Sequence, residues 1–171
     1  MKIFVQSRGR SPKFEYCWQP EVPPCLAKMS SLIQSESPSV VLARFSGSLI
    51  LLTTGLESPE KRDFRDRPIR HSIAWVLDEN NDNDAQIRVI AVQALQGLLA
   101  NQVDNHIQFD DKNGFKALIS DIEKISRSFL SEKKIENLTL PSSECSPKIG
   151  KNSQDLRNDL VDELQKYRLP G

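Results

Sequence analysis

Apolar and polar side chains alternate along several stretches of this chain, as β-strands require. The clearest case is a pair of β-rich runs on either side of Ser46-Gly47, a dipeptide that suits a two-residue hairpin turn. The pattern predicts a hairpin over 40–54 in which Phe45 lies opposite Ser48. Because both faces of this hairpin are apolar, we expect the sheet to be covered on both sides.

A further strand is predicted from Pro68 to Leu77. Proline fixes its own φ and pushes the preceding residue toward an extended conformation. Side chains then alternate between one face with Ile69, His71, Ile73, Trp75 and Leu77 and another with Arg70, Ser72, Ala74 and Val76. Both faces become apolar, so we expect an interior strand with Trp75 buried against the sheet's main helix. The charged stretch 55–67 before it is predicted to be a loop.

Two shorter strands are predicted near the N-terminus, at 2–7 and 14–18. The segment between them contains glycine and proline, so the strands are expected to pair as a hairpin with Arg8 and Arg10 at its tip. A proline-rich segment ends the second strand, and a short helix is predicted over 25–34.

Two longer helices are predicted where apolar residues recur every three or four positions. The first covers 84–100, with Asp84 as its predicted N-cap. The second covers 115–130, and segment 103–114 is predicted to be the connection between them. Both helices are expected to pack on the sheet.

The C-terminal part of the chain changes in composition. Segment 131–151 is rich in Ser, Pro, Lys and Glu and is predicted to be a flexible linker. The tail 152–171 is predicted to be an amphipathic helix, with an apolar stripe formed by Leu156, Leu160, Leu164 and Tyr167. So short a helix is marginal alone in water, so it needs a surface. Its own domain and a second copy are alternatives, but we predict a separate protein partner, because helix-in-groove recognition uses this spacing.

Together these elements predict an α+β fold. Residues 1–130 are expected to form one globular domain with about five mostly antiparallel strands and two packed helices. Apolar residues make up 38% of the 171-residue chain. This share is below the usual globular value, which agrees with an unpacked linker at 131–151 before the helical tail.

Charge and cysteine usage narrow the class of protein. The 23 basic and 23 acidic residues cancel, so no global field attracts nucleic acid or an anionic membrane, and any anion site must be local. Aromatic residues do not interleave with a basic stripe, which also disfavours nucleic acid. The three cysteines have no metal-binding spacing and indicate reduced thiols in a cytoplasmic protein. No signal peptide or membrane span is expected.

A local anion site is suggested by arginines at the mouth of the strand that begins at Pro68. A guanidinium fork matches phosphate and carboxylate groups. The candidate ligand-binding residues are Arg8, Arg44, Arg62, Arg65, Arg67, Arg70 and His71. The alternative is that nearby carboxylates neutralise the arginines in a solvated loop, and that Arg44 simply reaches solvent at its hairpin tip.

The only sign of catalysis in the sequence is a histidine that could act as a general base. The chain has two histidines and lacks the common nucleotide-binding, metalloprotease and serine-hydrolase motifs. His71 beside Asp66 or Cys17 would be the candidate base, while the alternative is a hydrogen-bonded structural histidine at the entry of its strand. No catalytic residue, metal ligand or cofactor is therefore assigned.

Residues 62–77, RDFRDRPIRHSIAWVL, resemble the N-terminal GTPase-associated modules of bacterial conflict and signalling systems. In those modules an Arg/Asp-rich turn leads through a His or Asn into a hydrophobic strand. The resemblance extends at most over residues 40–100, and the chain has Pro68-Ile69 where a glycine-rich turn is expected. It implies an accessory partner of an NTPase rather than the NTPase itself.

Three functions follow as hypotheses. The first is a cytoplasmic, non-catalytic interaction or regulatory module that binds a protein through its C-terminal helix. The second is an anion- or nucleotide-sensing domain with an arginine-lined pocket. The third is a hydrolase or nuclease that uses His71 with Asp66.

Overall fold

The computed structural model describes residues 1–21, 26, 37–132 and 153–169. The strands are β1 (Lys2–Ser7), β2 (Cys17–Gln19), β3 (Ser39–Phe45), β4 (Ser48–Arg62), β5 (Pro68–Asp78), β6 (Ile107–Asp110) and β7 (Gly114–Ala117). The helices are α1 (Asn81–Leu95), α2 (Leu99–Asp104), α3 (Ile119–Glu132) and α4 (Gln154–Lys166). This mixture of antiparallel strands and helices confirms the predicted α+β class.

Five strands form one antiparallel sheet in the order β2-β1-β5-β4-β3, so β5 lies at its centre. The predicted hairpin is confirmed, because β3 and β4 pair with Phe45 opposite Ser48. Ser46 and Gly47 in its turn have φ values of 50° and 74°. A two-residue turn with positive φ at both central positions matches the right-handed twist of the flanking strands.

The prediction of a loop over 55–67 is wrong for most of that stretch. β4 continues to Arg62 and pairs with β5, although its register shifts between Thr53 and Leu56 and again after Glu57. Gly55, with φ of 65°, lies at the first shift. Charged side chains are compatible with this strand because its far end is partly solvated. The turn itself is therefore short and covers Asp63 to Arg67.

The N-terminal strands pair as predicted, but β2 is shorter than the expected 14–18. β1 pairs with β2 on one side and with β5 on the other. Phe14 does not join the sheet, because its ring lies against Gly9 and Gly114. The side-chain amide of Gln19 donates to Phe115 O at 2.7 Å and accepts from Ala117 N at 3.1 Å. This amide attaches the β6–β7 hairpin to the edge of the main sheet.

The helix boundaries differ from the predicted ones. α1 begins at Asn81, and its N-cap is Asn80 rather than Asp84, since the Asn80 side chain accepts a hydrogen bond from Asn83 N. It ends before Gly97, whose φ is 74°, and α2 is a separate short helix. The predicted connection 103–114 holds β6, and α3 begins only after β7.

The sheet buries apolar side chains on both faces. The face toward the helices includes Trp75, which is fully buried and whose Nε1 donates to Ser126 Oγ of α3 at 3.0 Å. The other face contains a smaller buried cluster formed by Phe4, Leu26, Ile50, Leu52 and Ala74. Of the helix predicted over 25–34, only Leu26 belongs to the described residues. The buried Trp75 and the two apolar faces of β5 agree with the sequence pattern.

The C-terminal helix α4 packs against α1 of the same chain. Ser153 is its N-cap. Val161 is the only described residue of this helix whose exposed fraction is below a tenth. Most of the predicted linker, residues 133–151, lies outside the described residues. The structure therefore shows that the tail reaches its own domain, while a separate partner for it stays a prediction.

Candidate functional site

Three polar side chains meet in the interior on the helix-facing side of β5. His71 Nδ1 lies 2.8 Å from Ser7 Oγ of β1, and His71 Nε2 lies 3.1 Å from Asp104 Oδ1 at the end of α2. Hydrogen bonds at both ring nitrogens fix the orientation of the imidazole. The carboxylate on His71 is thus Asp104, and the predicted partner Asp66 lies exposed in the β4–β5 turn.

Asp104 is the centre of this polar cluster. Its Oδ2 accepts from Lys61 Nζ at 2.7 Å, and Lys61 Nζ also donates to the Asp104 carbonyl at 2.8 Å. Burial alone would raise the pKa of Asp104, but hydrogen bonds from His71, Lys61 and Ser58 hold it well below its usual value. Burial lowers the pKa of His71, against the opposing effect of Asp104. Asp104 is therefore ionised, and His71 is neutral at neutral pH.

A serine, a histidine and an aspartate in one chain of contacts also occur in nucleophilic catalysis. Here the exposed fractions of Ser7, His71 and Asp104 are 1%, 1% and 3%. A substrate carbonyl must contact the nucleophile directly, and this geometry leaves no room for one. The cluster instead links β1, β4, β5 and α2 through satisfied hydrogen bonds, which stabilises their packing.

The β4–β5 turn is organised by one carboxylate. Asp63 accepts from Arg67 Nε and Nη2 at 3.0 and 2.8 Å and from the backbone N–H groups of Arg65 and Arg67. Burial would raise the pKa of Asp63, yet the hydrogen bonds from Arg67 and the two amides lower it to about 2. Arg67 is consequently an element of the turn, with its guanidinium committed to Asp63.

Several other predicted anion-binding arginines are also engaged within the chain. Arg62 donates to the carbonyls of Ser58 and Lys61, each at 3.1 Å. Arg70 pairs with Glu57 at 3.0 Å across the β4–β5 ladder. These contacts agree with the alternative in which neighbouring acceptors neutralise the arginines.

Arg44 lies at the opposite end of the sheet from the turn at 63–67. It pairs with Glu79 and Asp84, and its Nη2 donates to Leu169 O at 2.9 Å. The long strand β4 separates Arg44 from Arg62, so the structure does not bring the seven predicted residues into one pocket. Arg44 instead holds the segment that follows α4.

Arg8 and Arg65 differ from the other predicted arginines. The Arg8 guanidinium lies 5.5 Å from the ring centroid of Tyr16 and 5.9 Å from that of Phe64, and Arg65 lies 5.1 Å from Phe64. Neither guanidinium makes a hydrogen bond to another described residue, and Arg8 Nε is buried without a partner there. The exposed side chains of Arg65 and Phe64 are therefore available for contacts outside the chain, whereas Arg8 is largely buried beside the rings.

Three turns meet beside Arg8 and surround a cavity of about 330 Å³. We call it the three-turn cavity. The β1–β2, β4–β5 and β6–β7 turns contribute its lining, which consists of Arg10, Ser11, Phe14, Phe64, Phe109, Asp110, Asp111 and Gly114. Phe64 and Phe109 are each 44% exposed, which is unusual for side chains of this size. A concave site of this volume with exposed rings is typical of small-molecule binding.

A second cavity, of about 260 Å³, lies between α4, α1 and the β3–β4 hairpin. Leu156 and Leu160 of the predicted partner-binding stripe line it, together with Arg157 and Leu95. The α4 interface is thus incompletely packed. Leu164 packs against the main core, and Tyr167 is 41% exposed.

No group of His, Cys, Asp and Glu within the described ranges could hold a metal ion, and no helix there is long and apolar enough to cross a membrane. Comparison of the chain with protein-family models, curated proteins and solved structures finds no match.

The sequence analysis did not identify Ser7 and Asp104 as parts of the interior cluster around His71, or Phe64 and Phe109 as parts of the three-turn cavity. Asp104 is 33 positions from His71 and Ser7 is 64 positions from it, so no local spacing connects them. The rings of Phe64 and Phe109 belong to turns that meet only through the sheet topology. A signal existed only for Phe64, which stands among arginines where a solvated loop would favour polar residues.

Proposed function

We propose that this protein is a non-catalytic interaction or regulatory module that presents its C-terminal helix to a protein partner. The observation that carries the proposal is the incomplete burial of the apolar stripe of α4. Leu156, Leu160 and Leu164 are only half-buried, and Tyr167 is exposed, although a packed core helix normally buries its whole apolar stripe.

The surroundings of His71, the candidate base, support a non-catalytic role. His71 uses both ring nitrogens inside the chain and is 1% exposed. Because a general base must lie within hydrogen-bond reach of the substrate, His71 is unsuited to that task in this arrangement. The hydrolase hypothesis with Asp66 is therefore not favoured.

The finer parts of the proposal rest on the sequence. A cytoplasmic location agrees with the cysteine usage, and an accessory role beside a bacterial NTPase follows from the resemblance at 62–77. The partner would take the stripe of α4 in an apolar groove, since anchors four and eight positions apart suit such a groove.

A second candidate function is anion or nucleotide sensing. It is favoured by Arg8, whose nearly buried guanidinium makes no hydrogen bond to the described part of the chain.

The interaction proposal is tested by affinity capture from the source organism with three baits. These are the full chain, the chain ending at residue 152, and Tyr167→Ala. Asp162→Asn is the matched control, because Asp162 is exposed on the same helix. We expect a protein that is captured by the full chain and the control, is lost with the other two baits, and is displaced by a peptide of residues 153–169. If every captured protein remains bound to the chain ending at residue 152, the proposal is wrong.

A further inference from the structure

The side chain of Arg8 is 89% buried, yet its hydrogen-bonding capacity is unused among the described residues. A guanidinium carries five N–H donors, and burying a charge is costly unless it is paired and hydrogen-bonded. Its nearest carboxylate oxygen, Asp63 Oδ2, lies 3.8 Å away, which is too long for a hydrogen bond. Among the described residues, Arg8 is therefore a largely desolvated cation that has an ion-pair neighbour but no hydrogen-bond acceptor.

Asp63 does not supply that acceptor, because its own oxygens are engaged. They accept from Arg67 Nε and Nη2 and from two backbone amides of the turn. Moving Asp63 toward Arg8 would break the turn. Charge compensation for Arg8 is thus partial, and an added anion would meet guanidinium donors that no described residue accepts from.

Arg8 is also held in place by its neighbours. The rings of Tyr16 and Phe64 both lie within 6 Å of its guanidinium carbon, a range in which cation–π attraction operates. A side chain fixed in this way loses little further freedom on binding, so a ligand gains most of the interaction energy.

The three-turn cavity lies beside this cation, although Arg8 itself is not one of its lining residues. Phe64 contacts Arg8 and lines the cavity, and Gly9 joins Arg8 to Arg10, which lines it as well. A Cβ at Gly9 would lie 2.6 Å from Gly114 Cα, so the β1–β2 and β6–β7 turns touch at this point. Charged and aromatic groups therefore belong to one continuous surface.

The acidic residues of the lining do not exclude an anion. Asp110 is turned toward its own loop, where it accepts from the backbone N–H groups of Lys112 and Asn113. Asp111 is exposed, and its carboxylate can accept a hydrogen bond from a hydroxyl group of a ligand. Carboxylates of this kind bind sugar hydroxyls in nucleotide sites.

We propose that the three-turn cavity binds a 5′-mononucleotide. The phosphate contacts Arg8 and Arg10, and the base stacks on the exposed rings of Phe64 and Phe109. A cavity of about 330 Å³ accommodates a ligand of this class. This inference deepens the anion-sensing candidate and does not depend on the docking of α4.

The test is calorimetric titration of the full chain with the four common 5′-mononucleotides, the four corresponding nucleosides, ribose 5-phosphate and inorganic phosphate. At least one mononucleotide should bind. The probes that lack its base or its phosphate should bind about tenfold more weakly, because each probe then lacks either the stacked group or the hydrogen-bonded group. If no mononucleotide binds at millimolar concentration, the proposal is wrong. If ribose 5-phosphate or phosphate binds equally well, the base site is wrong.

Variants locate the site. Arg8→Lys keeps the charge but removes the fork, and Phe109→Ala removes one exposed ring, so each should weaken binding about tenfold. Arg127→Gln on α3 is the control, since Arg127 is an exposed arginine paired with Glu123. Circular dichroism confirms the folding of each variant. Unchanged affinity in folded Phe109→Ala would overturn the assignment even if Arg8→Lys failed to fold. Because the titration uses purified protein, its failure leaves the partner-capture result unaffected.

Discussion

The Nε2 atom of His71 lies 3.1 Å from Oδ1 of Asp104, and both side chains are almost fully buried. This contact joins the central strand β5 to the end of α2. Asp104 in turn binds Lys61 of β4, so one neutral imidazole, one carboxylate and one ammonium group share a single interior site.

The free energy of unfolding should decrease below about pH 6.5. Burial lowers the pKa of His71 from 6.5, so the unfolded chain binds this proton at a higher pH than the folded chain does. The contribution of His71 is present above 6.5 and is lost as pH falls toward the folded value, with a slope of up to about 1.4 kcal/mol per pH unit.

Urea unfolding between pH 7.5 and 5 checks this slope in the parent and in His71→Gln. The variant should lose the slope, whereas His106→Gln should retain it, because His106 is partly exposed between α2 and β6. A parent whose stability is constant down to pH 5 would contradict the prediction.

Replacing Trp75 by alanine should destabilise the protein by roughly 3–5 kcal/mol, as large aromatic deletions in a core do. Trp75 is fully buried, and its Nε1 bonds Ser126. Trp75→Phe should cost roughly 1–2 kcal/mol, because it loses this hydrogen bond and part of the packing while Ser126 keeps its bond to Ile122 O. Denaturant unfolding measures both, and a loss below about 1 kcal/mol for the alanine variant would show that β5 is peripheral.

Two glycines with similar backbone angles should respond differently to alanine. Gly55 and Gly47 have φ of 65° and 74°. A Cβ at Gly55 would lie 2.3 Å from the backbone carbon of Ser37, while one at Gly47 meets nothing within 4 Å. Gly55→Ala should therefore cost about 1–3 kcal/mol more than Gly47→Ala in thermal or urea unfolding. Equal losses would mean that the contact with Ser37 does not constrain β4.

Asp84→Ala should destabilise the protein by about 3–5 kcal/mol, because it leaves buried charge without its partner. Asp84 accepts from Arg88 at 2.6 Å and from Leu169 N at 3.2 Å, and it also pairs with Arg44. Asp82→Ala is the control, since Asp82 lies exposed in the same helical turn. Urea unfolding compares the two, and similar midpoints would show that this network contributes little.

Deleting 153–171 should lower the free energy of unfolding of the domain by only about 1–2 kcal/mol and leave it folded, since the leucines of α4 are half-buried and few hydrogen bonds hold the tail. Some stability is lost because Arg88 Nη1 donates to Leu164 O and Arg44 Nη2 donates to Leu169 O. Both arginines lose these acceptors on deletion. Unfolding of the chain ending at residue 152 measures the effect, and an unchanged midpoint would show that α4 is dispensable to the domain.

The hairpin 40–54 and the faces of β5 could be predicted from the sequence because their signals are local. Alternation and a two-residue turn fix the register of β3 and β4 without reference to the rest of the chain. The apolar residues of β5 on both faces likewise follow from its central position. Such features need only neighbouring residues.

The missed features depend on distant residues. β4 extends to Arg62 because β5 offers it a pairing partner, although its charged composition favours a loop. The β6–β7 hairpin is held by Gln19, which lies 96 positions before Phe115 in the chain. Arg44 and Arg8 look alike in the sequence, but one meets the C-terminal segment and the other meets two rings. Their partners are set by topology, which spacing does not encode.

The amide of Gln19 has a consequence for association between chains. It presents one donor and one acceptor to the backbone of β7, just as a peptide group of a neighbouring strand would. The exposed edge of a sheet invites strand addition from other molecules, a route to aggregation. By covering the short edge strand β2 with a hairpin of the same chain, this one side chain protects that edge against strand addition.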